Sequence, residues 1–488
     1  MKSFILYSRI GEIHANTDYL SGKILPIKLI LLCFMLFLVS PVIYCTQDWV
    51  QKGTDLNGEA EGDYAGCSVS MSSDGNIVAI GAYNNDGNGN YSGHVRVYVW
   101  DETEWIQRGA DIDGKRSHEY SGYSVSLNSN GDVLAIGAPG YEDDAGLARV
   151  YYWNGTAWIQ RGTDINGEGA YDRSGCSVSL NSDGNTVAVG AQGNDGHGIN
   201  AGHVRIYFWN GTNWNQKGAD IDGEAEYDNS GYSVSLSSDG NILAVGAPFN
   251  DGNGNMAGHV RIYSWNGTVW IQRGSDIDGE AENNASGCSV SLNPDGNIIA
   301  IGAYGNSGTD IFSGHVRVYT WNGTIWDQKG SDIDGEAKDD YFGWSVCLNS
   351  DGNTLVIGAK YNDGNGVEAG HARVYNWNGT GWDQKGTDID GESCIDNSGY
   401  SVGISADGNT VAVGAIWNDA NGSQSGHVRI YDYRTINPEP PVFCIPVLVI
   451  WIVVFVIIFL VAVAIIYIAR LRRQYKLLRI GRSQNDPV

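Results

Sequence analysis

The chain has 488 residues, a formal net charge of −26, and 67 glycines together with 27 tyrosines and 16 tryptophans. The residues from Arg470 onward are basic, so the long middle region carries almost all of the excess acid. A negative field of this kind argues against binding to nucleic acid or anionic lipid headgroups and favours cations or basic partners. Abundant glycine and aromatic residues, without a long soluble amphipathic run, indicate an all-β fold.

The first 45 residues read as a targeting segment. An uncharged run rich in leucine and isoleucine covers 29–45 and follows Lys23 and Lys28. This pattern is typical of a signal peptide at 1–45, with cleavage just after Cys45. An uncleaved signal anchor is the alternative, because the leader is unusually long. Both interpretations place the next region on the lumenal or extracellular side of a membrane.

Residues 46–433 contain seven copies of one unit, each opened by a tryptophan. The spacing is 56 residues, except for one interval of 53, whose shortfall lies between Ala138 and Gly146. A period of this length, with about four strand-sized runs per unit, is typical of a propeller blade. We therefore predict a seven-bladed β-propeller. The opening tryptophans are Trp49, Trp105, Trp158, Trp214, Trp270, Trp326 and Trp382.

The fourth unit illustrates one blade. Its strand-sized runs are 231–236, 242–247, 258–265 and 270–274, separated by an Asp-Gly hairpin, a glycine-rich loop and an Asn-Gly-Thr turn. An acidic crossover at 276–280, Asp-Ile-Asp-Gly-Glu, then leads to the next blade. Trp265 and Trp270 face each other across the turn, which predicts a cross-strand aromatic pair.

The last unit ends after its third strand, at 428–431. Its missing outer strand can only come from 49–53, which otherwise belongs to no blade. We therefore predict seven blades of four strands, closed by pairing the N-terminal strand with the C-terminal blade, so that no open sheet edge remains.

The repeated motifs resemble those of a known family. Gly-x-Ser-Val begins the first strand, Gly-Ala-Pro ends the second at 137–139 and 246–248, and Gly-His-Val-Arg-Ile-Tyr begins the third. These motifs resemble the FG-GAP repeats of integrin α-subunit propellers, with a literal Phe-Gly at 342–343. The resemblance covers roughly 49–433 and implies an extracellular seven-bladed propeller. It places calcium in the first hairpin, where this chain has short sequences such as 237–241 with too few carboxylates.

One histidine slot recurs at the start of the third strand, with arginine two residues later. Ring symmetry keeps equivalent positions apart, so we predict a structural role, with stacking and cation–π contacts along one strand face. A metal-binding role is the alternative. The histidines are His94, His203, His259, His315, His371 and His427.

The cysteines do not suggest disulfides. Cys67, Cys176 and Cys288 occupy one slot in non-adjacent blades, so we predict buried, unpaired side chains. For Cys347 and Cys394 the sequence gives no prediction about pairing.

Five turns begin with Asn-Gly-Thr, which is both good turn chemistry and a sequon for N-glycosylation. Three further sequons lie elsewhere, and we predict that at least some of the eight are occupied. The candidate sites are Asn154, Asn210, Asn266, Asn322, Asn378, Asn90, Asn284 and Asn421.

The crossovers predict an acidic, outward-facing binding surface. The sequence predicts no definite cofactor. The loops beginning at Asp86 and Asp251 have oxygen-bearing residues at alternate positions but no closing carboxylate. We interpret them as solvated polar turns, and weak calcium binding is the alternative. The acidic crossover residues are Asp220, Asp222, Glu224, Asp276, Asp278, Glu280, Asp332, Asp334, Glu336, Asp388, Asp390 and Glu392.

A linker at 434–441 leads to 28 uncharged residues at 442–469, which predict a transmembrane helix. The basic tail at 470–488 predicts a cytoplasmic C-terminus. The chain leaves the last blade on the Asn-Gly-Thr side, so we expect the acidic side to face away from the membrane.

No arrangement of residues predicts catalysis, so we expect a binding protein and not an enzyme. We predict a single-pass protein of the plasma membrane or another secretory-pathway membrane, whose propeller binds protein or matrix. A carbohydrate-binding or surface-coat module, using exposed tryptophans, is the alternative.

Overall fold

The apolar runs of each repeat form one antiparallel sheet in the computed structural model, which describes residues 46–436 and 445–482. Seven such sheets are present, and residues Gln47–Arg434 form one compact unit. In each sheet the first, second, third and outer strands are neighbours in that order. The predicted all-β, seven-bladed propeller is confirmed.

The strands are as follows. The N-terminal pair is β1 (Thr46–Gln51) and β2 (Leu56–Asn57). Blade one contains β3 (Ser68–Met71), β4 (Ile77–Ala82), β5 (His94–Trp100), β6 (Trp105–Gln107) and β7 (Ile112–Asp113). Blade two contains β8 (Ser124–Leu127), β9 (Val133–Ala138), the helical turn α1 (Tyr141–Asp144), β10 (Leu147–Trp153), β11 (Trp158–Gln160) and β12 (Ile165–Asn166). Blade three contains β13 (Ser174–Leu180), β14 (Thr186–Ala191), β15 (His203–Trp209), β16 (Trp214–Gln216) and β17 (Ile221–Asp222).

Blade four contains β18 (Ser233–Leu236), β19 (Ile242–Ala247), β20 (His259–Trp265), β21 (Trp270–Gln272) and β22 (Ile277–Asp278). Blade five contains β23 (Ser289–Leu292), β24 (Ile298–Ala303), β25 (His315–Trp321), β26 (Trp326–Gln328) and β27 (Ile333–Asp334). Blade six contains β28 (Phe342–Leu348), β29 (Thr354–Ala359), β30 (His371–Trp377), β31 (Trp382–Gln384) and β32 (Ile389–Asp390). Blade seven contains β33 (Ser398–Ile404), β34 (Thr410–Ala415) and β35 (His427–Ile436).

The outer strand of each blade is longer than its sequence pattern indicates. In blade four, β21 and β22 both pair with β20, so that Trp270 lies opposite Trp265 and Asp278 opposite His259. The residues between them bulge away from the sheet. The first part of the predicted crossover is therefore strand, and the acidic residues begin beside the third strand before the chain turns to the next blade.

The N-terminal strand closes the ring, as predicted. β1 and β2 both pair with β35, which gives blade seven the order β1-β35-β34-β33. Leu56 lies opposite Val428, and the Lys52 N–H donates to the Ile430 carbonyl at 2.7 Å. This pairing covers the edge of β35 that would otherwise be open to another strand.

The hydrophobic core lies between adjacent blades. One cluster combines Val204 and Ile206 of blade three with Leu243 and Val245 of blade four. The second strands are covered on both faces, which explains why their sequences are apolar throughout. Full burial of one such side chain contributes about 1.5–3 kcal/mol.

A cation from each blade packs against the aromatic pair of the next. The ring centroids of Trp265 and Trp270 are 5.4 Å apart, so the predicted cross-strand pair is confirmed. Lys217 of blade three places its Nζ 5.4 and 5.3 Å from these centroids, and Trp270 Nε1 donates to the Lys217 carbonyl at 2.8 Å. The tryptophan pair is therefore a joint between blades, supported by cation–π attraction.

The first hairpins are linked by a ring of backbone hydrogen bonds. Each hairpin donates one N–H to the carbonyl of the equivalent residue in the next blade, at 2.8–3.2 Å. Six links form; the seventh is missing because Pro294 has no N–H to donate to Ser350. The positions are Ser73, Ser129, Ser182, Ser238, Pro294, Ser350 and Ala406.

The helix α2 (Ile445–Arg482) belongs to a separate unit. Its segment Val454–Gln474 is long and apolar enough to cross a membrane. The helix continues beyond the predicted boundary at 469 through most of the basic tail; its 38 residues span about 57 Å, roughly twice the thickness of a hydrocarbon core. The signal segment and 437–441 of the linker lie outside the described residues.

Candidate functional site

The loops between second and third strands lie on the same side of the ring as the crossovers. In blade three, the Tyr227 N–H of the crossover donates to the Ile199 carbonyl of the loop at 2.8 Å. In blade six, Ile395 donates to Val367 in the same way, also at 2.8 Å. We name this side the loop face, and we name the side of the first hairpins and Asn-Gly-Thr turns the turn face.

The loop face exposes large apolar side chains at its loop tips. Tyr171, Tyr227 and Val367 are 66%, 56% and 61% exposed. Apolar groups that are accessible and bordered by carboxylates are typical of surfaces that bind other molecules. The full set on this face is Tyr91, Tyr171, Ile199, Tyr227, Met256, Ile311, Phe312, Val367 and Ile395.

Several of these tips have a left-handed backbone. The φ angles are +67° at Tyr171, +68° at Tyr227 and +68° at Ile395. A bulky or β-branched residue is rarely found in this region, and each such residue costs about 1–3 kcal/mol. Glycine or asparagine would fit these turns better, so the apolar side chains are present at a cost in stability.

The central channel opens toward the loop face into a cavity of about 150 Å³. Its wall includes all seven residues of the first-strand slot, in which cysteine and aromatic side chains alternate over the first five blades. They are Cys67, Tyr123, Cys176, Tyr232, Cys288, Trp344 and Tyr400.

The three channel cysteines are buried and unpaired, as predicted. Burial raises the pKa of Cys67, Cys176 and Cys288 to about 11, so these thiols are neutral at physiological pH. Cys67 Sγ donates to the Gly122 carbonyl at 3.3 Å. The two open cases, Cys347 and Cys394, are also free, and Cys394 is exposed.

Lys360 occupies an aromatic cage beside this cavity. Its Nζ lies 3.0 Å from the ring centroid of Trp344 and 4.6 Å from that of Tyr361, with Tyr400 at 5.2 Å. The side chain is 6% exposed. Burial lowers the pKa of Lys360 to about 7, and among the described residues it forms no ion pair. The sequence pattern does not indicate a role for this lysine.

The recurring histidines lie among carboxylates. His259 Nδ1 is 3.9 Å from Asp276 Oδ2 of its own blade and 3.9 Å from Glu224 Oε2 of the preceding crossover. The arginine two residues along stacks on the next aromatic residue, with Arg261 Cζ 5.7 Å from the Tyr263 centroid. The predicted cation–π contact is therefore confirmed for arginine, whereas the histidine faces acid because its strand begins at the loop face.

The twelve predicted acidic residues form three sets on the loop face. The first contains Asp220, Asp276, Asp332 and Asp388, each with an oxygen 3.8–3.9 Å from the histidine Nδ1 of its blade. The second contains Asp222, Asp278, Asp334 and Asp390, which lie in the short strands of the outer edge. The third contains Glu224, Glu280, Glu336 and Glu392, which reach the arginine of the next blade. The pKa of Asp334 is raised mainly by burial and further by the nearby negative charge of Asp332.

The five Asn-Gly-Thr sequons are exposed turns on the turn face. Asn154 Oδ1 accepts from the Thr156 N–H at 2.9 Å, which fixes the turn and leaves its amide nitrogen outward. The amide nitrogens of Asn322 and Asn378 instead donate to Asp327 and Asp383.

The remaining sequons lie on the loop face. Asn90 is exposed, and the amide nitrogen of Asn421 donates to the Gly58 carbonyl at 2.9 Å. Asn284 is 3% exposed, and its Oδ1 accepts a hydrogen bond from the Ala281 N–H at 2.9 Å, so its side chain is buried in the folded chain. Glycosylation of the eight sequons stays a prediction.

The two loops considered for calcium use their polar groups internally. Asp251 Oδ1 accepts from the Met256 N–H at 2.8 Å, and Asn253 Nδ2 donates to the Gly279 carbonyl at 2.8 Å. In the first hairpin of blade four, Asp239 accepts from Ser237 and Asn241. Calcium binding at these places stays a prediction.

The described residues thus form a closed seven-bladed propeller and one further helix that is long and apolar enough to span a membrane. Three segments match the family model described as FG-GAP repeat, at residues 54–99, 331–375 and 383–431. These segments and the seven blades agree with an FG-GAP, integrin-like propeller. No match was found among curated proteins.

Proposed function

We propose that this chain is a single-pass membrane protein whose propeller binds an extracellular protein or matrix component through its loop face. The observation that supports it best is the set of exposed apolar tips held in left-handed conformations, such as Tyr227 and Ile395. Residues that reduce stability and expose apolar surface are retained when they contact a partner. The proposal is of a binding protein and assigns no catalytic step.

The FG-GAP segments and the candidate membrane helix support an extracellular or lumenal propeller. Arg470, Arg472 and Arg473 follow the apolar part of α2, which favours a cytoplasmic C-terminus. β35 ends on the turn face, which is the side of the propeller opposite the proposed binding surface.

The test compares two variants of the full chain, solubilised in detergent and used to capture surface and matrix proteins. One variant replaces three loop-face tips, Y171S/Y227S/V367S. The control replaces three exposed apolar residues of the outer strands and the turn before them, I159S/I271S/I325S. We expect capture by the unmodified chain and the control, and loss of capture by the loop-face variant. A loop-face variant that captures the same partner equally well would refute the proposal.

Carbohydrate binding is the second candidate, because tyrosines cluster on the loop face of blades one and two. Tyr83 lies 5.6 Å from Tyr64 and 6.0 Å from Tyr120 between ring centroids. The tryptophan pairs do not support this function, since they form the joints between blades. A glycan array with strong hits that disappear in Y83A/Y120A would favour a lectin over a protein-binding role.

A further inference from the structure

We propose that five blades each bind a divalent transition-metal ion of the Zn²⁺ class on the loop face, between one histidine, one aspartate and one glutamate. The proposal is independent of which partner the loop face binds. The triads are His94 with Asp111 and Glu59, His203 with Asp220 and Glu168, His259 with Asp276 and Glu224, His315 with Asp332 and Glu280, and His427 with Asp55 and Glu392.

The ligand atoms of each triad converge. In blade one, His94 Nδ1 is 3.7 Å from Glu59 Oε2 and 4.0 Å from Asp111 Oδ2. All three ligand atoms lie within 4.8 Å of one another. An ion bound at about 2.0–2.2 Å to each atom would hold tetrahedral ligands about 3.3–3.6 Å apart. The histidine–carboxylate distances therefore need to shorten by a few tenths of an ångström, and the distance between the two carboxylate oxygens by at most roughly 1.5 Å.

The aspartate is oriented by the outer strand. Gln272, the last residue of β21, donates from Nε2 to Asp276 Oδ1 at 2.5 Å, and Gln107 does the same to Asp111 at 2.6 Å. In each case the other carboxylate oxygen is the one that faces the histidine. Such outer hydrogen bonds fix the orientation of metal ligands.

The glutamate is oriented by the arginine of the blade that supplies the histidine. Glu224 places Oε1 3.4 Å from Arg261 Nη1 and Oε2 3.9 Å from His259 Nδ1. Arg261 is itself fixed, because its Nη2 donates to the Asp222 carbonyl at 2.6 Å. One oxygen of the aspartate thus accepts a hydrogen bond and one oxygen of the glutamate pairs with the arginine, while the other oxygen of each carboxylate faces the histidine.

The histidine has no other partner there. Both ring nitrogens of His94 and of His427 are buried without a hydrogen bond among the described residues, and these side chains are 1% and 0% exposed. A buried histidine nitrogen without a hydrogen bond, close to two carboxylates, is the arrangement expected where a cation binds between the three groups. Packing alone holds the ring, since Nε2 is also unpaired.

The ligand types select the metal. A neutral imidazole with two carboxylates suits borderline divalent ions such as Zn²⁺, whereas Ca²⁺ and Mg²⁺ take oxygen ligands. Three protein ligands leave a position open to water or to a partner's carboxylate. The arrangement also differs from a first-hairpin calcium loop, which lies on the turn face.

Blade two contains an internal exception in which two ligands are lost together. Leu147 stands at the histidine slot and Lys115 at the glutamate slot. The Lys115 ammonium lies 3.2 Å from Asp164 Oδ1, beside the remaining aspartate. A cation therefore occupies this region of the molecule where the ligands are missing.

Blade six shows a second way of neutralising the carboxylates. Arg373 donates from Nε to Asp388 Oδ1 at 2.9 Å and from Nη2 to Asp388 Oδ2 at 2.7 Å, and it also contacts Glu336. Because the guanidinium takes both carboxylates, we assign no metal to this blade.

The experiment measures Zn²⁺ binding to the chelator-treated full chain in detergent, by calorimetry and by metal analysis after dialysis. The test variant is D220N/D276N/D332N. The matched control is D222N/D278N/D334N, which removes the same charge from the same three crossovers but no triad ligand. We expect the test variant to bind three fewer ions per chain, while the control retains the full number.

Cobalt supplies a second readout, because Co²⁺ bound by nitrogen and oxygen at a tetrahedral site absorbs visible light. We expect the absorbance to fall by about three fifths in the test variant only. Equal losses in both variants, no Zn²⁺ bound by the unmodified chain, or binding of Ca²⁺ in its place would overturn the proposal. If the triple variant does not fold, the single variants are compared instead. We expect D276N to bind one ion fewer than the unmodified chain and D278N to bind the full number.

Discussion

Trp49 and Tyr433 lie with their ring centroids 5.1 Å apart, in the position that a tryptophan pair occupies in the other blades. Trp49 Nε1 donates to the Lys385 carbonyl at 2.7 Å, and Lys385 Nζ lies 4.6 Å from the Tyr433 centroid. The two ends of the propeller are thus joined by the same aromatic and cationic contact that joins consecutive blades.

Loss of this joint should open the ring. Deletion of 49–53 removes the outer strand of blade seven, and we expect a lower midpoint and broader thermal unfolding, followed by circular dichroism. W49A should cost about 3–5 kcal/mol, since it removes a buried tryptophan and its hydrogen bond. W270A, in an internal joint, is the control for side-chain loss with the closure intact. Unchanged cooperative unfolding after the deletion would contradict the closure.

Lys360 should make stability depend on pH. Burial lowers its pKa to about 7 from an ordinary value of 10.5, so the unfolded chain binds more protons between these values. The free energy of unfolding should therefore rise as the pH increases from 7 to 10.5, by at most about 1.4 kcal/mol per pH unit. Denaturant titrations at several pH values measure this slope.

The K360M variant should lose this pH dependence. Its free energy of unfolding at pH 7 should be higher by about 1–3 kcal/mol, a value that already includes the loss of the cation–π contacts. The matched control is K385M. Lys385 also lies over aromatic rings, but its Nζ donates to the Gly408 carbonyl at 2.6 Å and to Asn409 Oδ1 at 2.9 Å. K385M should therefore destabilise the protein. A stabilised K385M, or an unchanged slope in K360M, would refute this account of Lys360.

Glycan occupancy should follow the accessibility of the amide nitrogen. We expect glycans at Asn154, Asn210 and Asn266, lower occupancy at Asn322 and Asn378, and none at Asn284. Mass spectrometry of glycopeptides, with and without enzymatic release of glycans, measures each site. A fully glycosylated Asn284 in the folded protein would contradict its burial.

Cys394 offers a test of the side of the membrane on which the propeller lies. It is exposed, whereas the three channel thiols are buried and have a raised pKa. A membrane-impermeant maleimide should label the chain on intact cells, or in microsomes only after detergent if the membrane is internal. C394S should strongly reduce this labelling. Labelling from the cytoplasmic side of sealed vesicles would reverse the proposed orientation.

The fold could be predicted because its period is explicit in the sequence. Each blade repeats the same apolar second strand, six of the seven blades repeat the tryptophan pair, and the incomplete last unit requires the strand containing Trp49. The bulge that divides the outer strand could not be predicted, because Asp276 favours a turn and the neighbouring Ile277 favours a strand. Ile277 lies in a strand because it pairs with Val260 of the third strand.

The triads were missed because their members are distant in sequence. The glutamate precedes the histidine by 35 residues and the aspartate follows it by 17, as with Glu224, His259 and Asp276. These offsets recur in blade after blade and could have been detected. For His427 the second offset fails, because closure supplies Asp55 from the other end of the chain.

Closure by the N-terminal strand also imposes an order on biosynthesis. The strand that contains Trp49 emerges first, but its partner β35 ends at Ile436. At synthesis rates of about 5–20 residues per second, the first strand waits roughly 20–80 s for its partner. During that interval it is an unpaired edge able to join another chain. A chaperone that covers this nascent strand would therefore raise the yield of correctly assembled protein, most of all when neighbouring ribosomes translate the same message.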